Sequence, residues 1–167
     1  MANRSYLYAL DTVPVSGEKR PPAKGISEWN WDIPLVHKVL LSGNPELRSS
    51  MIWQSDEVFA VVGDYATGVA ALTAFLGELP HPEAGEQAAQ ALEWLQDPVR
   101  ARKYLWLEAA EIFDMDDERG LTESAEALLA EVRSDWSGVA ATVPADQLAA
   151  ATGAGSWSEV LYYGPFD

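Results

Sequence analysis

Tyr and Leu dominate the run from Ser5 to Leu10, and this pattern predicts a strand. Between Val13 and Gly25 three prolines, two glycines and three basic residues interrupt any period, which predicts a loop. Asp32 or Ile33 then precedes Pro34, a first-turn proline, so a helix is expected to about Leu41, where Ser42-Gly43-Asn44-Pro45 stops it. Met51–Gln54 and Val58–Val62 read as short strands, the second an apolar run of the buried kind.

Helical periodicity takes over after Asp64. Val69, Leu72, Phe75, Leu76 and Leu79 fall at helical spacing behind Asp64 as cap, and Pro80-His81-Pro82 ends the segment. Glu83–Leu95 repeats the pattern with Ala88, Ala91, Leu92 and Leu95 on one face. Asp97-Pro98 resembles a cap and first turn, predicting a third helix through about Phe113. A fourth is expected from Thr122 to about Trp136, with Ala125, Leu128, Leu129 and Val132 inward. Beyond Gly138 the expectation is a short helix over Pro144–Ala151 and a strand over Trp157–Tyr163. The sum is one α+β domain over residues 1–167, mainly helical, with a small sheet from strands near both termini and around residues 51–62.

Composition narrows the function. At 167 residues and 48% hydrophobic the chain can bury a core. With no cysteine, disulfides, thiolate zinc sites and Cys nucleophiles are excluded. Eleven Lys and Arg against 26 Asp and Glu give a net charge of −15, which repels nucleic-acid phosphates and suits a basic protein partner. The longest uncharged stretch, Tyr65–Gly77, is far short of the roughly 20 apolar residues a membrane span needs. The opening lacks the long apolar core of a secretion signal, so the expected compartment is the cytoplasm.

The acids are unevenly placed. From residue 104 onward there are 13 acids and only Arg119 and Arg133 as bases. Glu108, Glu111 and Asp114, spaced by three, would share one face of the predicted third helix. With Asp116, Asp117 and Glu118 in the following turn they form the candidate partner-binding surface. A solvated face that keeps the protein soluble gives the same sequence pattern. Trp29 and Trp31 are the candidate aromatic anchors, since two positions apart in an extended segment they point the same way. Core plugs are the competing reading for both.

Catalytic and metal motifs do not form. An EF-hand loop starting at Asp114 would need Gly and Glu where Arg119 and Ala125 stand. His37 and His81 make no HExxH pair, no Ser sits in a GxSxG elbow, and Gly63–Gly68 lacks the Lys of a phosphate loop. Glu108 and Glu111 could serve as a glycosidase-like carboxylate pair on spacing alone. No catalytic residue, metal or cofactor is therefore assigned.

The opening Met1-Ala2-Asn3-Arg4-Ser5-Tyr6-Leu7-Tyr8 is similar to the start shared by a family of uncharacterised bacterial proteins. So are Gly25-Ile26-Ser27-Glu28-Trp29-Asn30-Trp31-Asp32-Ile33-Pro34, Leu41-Ser42-Gly43-Asn44-Pro45, Val62-Gly63-Asp64-Tyr65 and, more weakly, Glu111-Ile112-Phe113-Asp114-Met115. The resemblance implies a bacterial, cytoplasmic, single-domain protein and carries no mechanism. Small acidic bacterial domains of this kind suggest, by class-level analogy, a non-enzymatic immunity or antitoxin-type inhibitor of a basic toxin. A metal-dependent or carboxylate-based enzyme, and a structural or regulatory homodimer subunit, are the alternative expectations.

Overall fold

The computed structural model describes residues 2–164 and 166. Five strands, β1 (Arg4–Leu10), β2 (Lys24–Asn30), β3 (Glu46–Ser49), β4 (Phe59–Asp64) and β5 (Tyr104–Glu108), form one antiparallel sheet in the order β2-β1-β5-β4-β3. Among the described residues six α-helices complete it: α1 (Leu35–Leu40), α2 (Tyr65–Gly77), α3 (Gly85–Gln96), α4 (Ala110–Phe113), α5 (Leu121–Val132) and α6 (Leu148–Thr152). The α+β expectation matches this architecture.

β1 is buried on both faces from Ser5 onward, which is why no polar alternation marks it in the sequence. Leu7 and Ala9 point to the helical side, where they join Ile26, Val61, Leu105 and Leu107 against α1, α2, α3, α5 and α6. Tyr6, Tyr8 and Leu10 point the other way, into a second apolar cluster with Ala60, Val62 and Trp106. Among the described residues no α-helix contributes to that cluster. Its cover is the turn carrying Met51 and Trp53 together with the C-terminal segment carrying Leu161, Tyr163 and Phe166.

A bulge prepares β2 for this cover. Leu7 pairs with Ser27 and Tyr8 with Gly25, so Ile26 is the extra residue. Its freed carbonyl accepts hydrogen bonds from the Ser158 N–H and Trp94 Nε1. At Gly25 a Cβ would lie 2.3 Å from the Glu159 carbonyl oxygen, so only glycine lets the C-terminal segment pass this closely. The segment is then tied down by Tyr8, whose hydroxyl donates to the Tyr163 carbonyl, and by the Tyr162 N–H donating to Glu28. Gly68 makes a comparable approach possible between α1 and α2, where a Cβ would sit 1.9 Å from the Leu40 carbonyl oxygen.

Four expectations are corrected. The predicted helix from Asp97 to Phe113 is a single turn, the strand β5 and the short α4; Glu108 ends the strand and does not share a helical face with Glu111 and Asp114. Asp97 does act as a cap, accepting from the Val99 N–H, but propagation fails because residues 104–108 lie between β1 and β4. Trp157–Tyr163 is no strand and makes only an isolated bridge from Trp157 to Ser27, so the terminal segments do not form the sheet together. Met51–Gln54 is a bend over the second face, and the strand of that region is β3 at Glu46–Ser49.

Candidate functional site

The sequence-predicted residues divide into two groups. Glu108 is fully buried under the second face of the sheet. Its carboxylate accepts from the Ser50 hydroxyl at 2.8 Å, the Met51 N–H at 2.8 Å and Trp106 Nε1 at 2.9 Å. Burial pushes its pKa up, and these three donors hold it back only in part. Glu111 is half-buried beside it in the chain and accepts from the Tyr6 hydroxyl at 3.0 Å and the Arg4 N–H at 2.8 Å. The bonds from Ser50 and Met51 pin the turn after β3, and the bond from Arg4 pins the start of β1. The two carboxylates therefore belong to the packing of the second face, and Glu108 in particular is removed from the expected surface.

Asp114, Asp117 and Glu118 are exposed in the turn after α4, as a docking surface requires. Asp116 is half-buried and lines a groove of about 510 Å³ between the α4–α5 turn, α5 and the start of α1. Its floor is apolar, from Ile33, Phe113 and Leu128, and its walls carry Asp32, Lys38, Arg119 and Glu131. Lys38 of α1 donates to Glu131 of α5 across it at 2.8 Å. A second groove of about 300 Å³ continues past Asp32, Ile33 and Lys38 toward Val139, Pro144 and Ala150.

The tryptophan pair does not point one way. Trp29 lies in β2, half-buried, whereas Trp31 leaves the strand at φ 67° and is 57% exposed. A bulky residue in the left-handed region is an uncommon and strained placement. It occurs where the chain turns from β2 into α1, held by the Trp31 N–H donating to the Asn3 carbonyl at 2.7 Å. Trp31 immediately precedes Asp32, which lines both grooves, but its own side chain lines neither. Sequence reasoning missed Asp32, Lys38, Arg119 and Glu131 because they come together only when α1 packs near α5. The Lys38 and Glu131 spacing in the chain carries no local signal.

His37 is fully buried on α1, with Nε2 2.8 Å from Ser27 Oγ, which is 2.8 Å from Ser156 Oγ. Ser156 in turn donates to the Gly153 carbonyl. One direction satisfies every donor: Nε2–H to Ser27, Ser27 to Ser156, Ser156 to Gly153, leaving Nδ1 as a bare acceptor. The imidazole donates to the serine and so does not activate it as a nucleophile. Burial lowers the His37 pKa to about 3. Among the described residues no group of three or more His, Asp or Glu is arranged to hold a metal ion, and no helix is long and apolar enough to cross a membrane.

A family model covers residues 11–151 of the chain. The protein belongs to the family described as domain of unknown function DUF7822. Both grooves, the α4–α5 turn and Trp31 fall inside the matched region, whereas β1 and the C-terminal segment over the second face fall outside it. No curated protein matches the chain, and no solved structure does. Membership fits the expectation of an uncharacterised family and assigns no activity.

Proposed function

We propose that this chain is a non-catalytic protein-binding module of the cytoplasm, an immunity or antitoxin-type inhibitor that docks a basic protein through the α4–α5 turn. The observation that carries the reading is the coincidence of exposed Asp114, Asp117 and Glu118 with the groove that Asp32, Asp116 and Glu131 line, the exposed Trp31 being the chain neighbour of Asp32. Carboxylates at a rim speed encounter with a cationic partner, and an exposed Trp supplies an anchor that charge alone does not. Backbone strain of the kind at Trp31 persists where the surrounding structure fixes it, and such positions cluster at ligand clamps and switches.

The test begins with capture of partners from the source lysate on the tagged protein, washed at about 50 and 500 mM salt, where charges are screened over roughly 14 and 4 Å. A single basic protein released at high salt is the expected result. With that partner purified, Asp116→Lys combined with Asp117→Lys is expected to slow association severalfold and flatten its salt dependence. An unchanged on-rate overturns the assignment of this surface.

A further inference from the structure

Resting on the protein-binding reading, we infer that the two joined grooves hold an extended peptide segment of the partner in which arginines alternate with apolar residues. The grooves meet at Asp32, Ile33 and Lys38, so a chain crossing that point places side chains in both. Apolar side chains meet the Phe113 and Leu128 floor. Asp32 and Asp116 stand on different walls, and among the described residues neither has a cationic side chain within ion-pair distance. They are left to take guanidinium groups, which pair with carboxylates in a bidentate fork. Trp31 offers a ring face of the kind an arginine stacks on.

One further detail fits a peptide. Glu131 already neutralises Lys38, so an incoming arginine can replace Lys38 on that carboxylate. Arg119 opposes a cationic guest, but Asp117 and Glu118 precede it directly in the exposed turn.

The sign of the Lys38 effect separates this occupant from an anion. The probe is a fluorescein-labelled ten-residue peptide of alternating Arg and Leu, titrated by anisotropy against the full chain, with a Glu-Leu peptide as control. Lys38→Met is expected to tighten the Arg-Leu peptide about threefold and Glu131→Gln to weaken it by a similar factor, the usual worth of one exposed charge pair. Amide shifts in a ¹⁵N spectrum should centre on Asp32, Asp116 and Ala150. Weaker binding in Lys38→Met, preference for the Glu-Leu peptide, or shifts confined to another face each overturn the inference. Ala127→Trp, which fills the larger groove, separates it from the parent reading, provided its amide spectrum remains native. If that variant still binds the cognate basic protein while the Asp116/Asp117 reversal does not, the docking surface stands and the groove occupant falls. If no basic protein is captured but the peptide responds as expected, the parent reading falls and the groove remains a peptide site.

Discussion

His37 Nε2 lies 2.8 Å from Ser27 Oγ inside a core where Nδ1 has no partner. The native state resists protonation of this ring down to about pH 3, whereas the unfolded chain takes up the proton near 6.5. Because the folded pKa is the lower one, the stability contribution is complete above 6.5 and is lost as pH falls toward 3, at about 1.4 kcal/mol per pH unit inside that window. His37→Gln, which keeps a donor for Ser27, is expected to flatten the acid limb of a Tm-against-pH curve. An unaltered limb would show that His37 is not the group responsible.

Glu108 acts with the opposite sign. Its folded pKa is raised, so its favourable contribution is present below the ordinary glutamate range and is lost as pH rises through the folded value. Glu108→Gln keeps a carbonyl for Met51 and Trp106 and carries no charge, but its amide faces a Ser50 oxygen that already accepts from the Ile52 and Trp53 N–H groups. The variant is expected to melt below the parent near pH 4 and to narrow that gap toward pH 8. An equal gap at both values would leave burial of the charge without a cost.

Trp31 supplies a separation of stability from binding. Glycine occupies φ 67° without strain, so Trp31→Gly should leave Tm unchanged or raise it, with about 1 kcal/mol of strain relieved against the extra freedom of the unfolded chain. Loss of an anchor should still weaken the partner by roughly tenfold or more. A fall in Tm of several degrees would instead mark Trp31 as a packing residue.

Gly68→Ala tests the packing that places Lys38. The new Cβ would overlap the Leu40 carbonyl, forcing α1 away from α2. A cost of about 3 kcal/mol is expected, on the order of 10 °C in Tm. Gly77→Ala on the same helix, with nothing within 4 Å of the new carbon, is the matched control and should be neutral or stabilising.

How much of this was legible follows from where the signals are local. β1, β4 and the helices α1, α2, α3 and α5 were readable from period, with ends shifted by a few residues, whereas Asp64 makes no capping bond to α2 and accepts from Asn44. β5 was not, since Leu105 and Leu107 face one apolar layer and Trp106 the other, which erases the alternation that would have marked a strand. β3, Glu-Leu-Arg-Ser at the sheet edge, looks like a polar loop until it pairs with β4. The turn acids Asp114, Asp116, Asp117 and Glu118 were found because a charge run shows in one dimension. The groove was not, because Asp32, Lys38 and Glu131 are far apart in the chain.

The cover on the second sheet face has a consequence for synthesis. Residues 157–164 and 166 follow every described strand, yet they shield Tyr6 and Tyr8 of β1, the first of those strands. A nascent chain can therefore assemble all five strands while one aromatic side of the sheet is still wet. Any ribosome that stalls before residue 157 leaves a species with a sticky tyrosine-rich plate, and quality control in the cell would meet that plate before it met the finished protein.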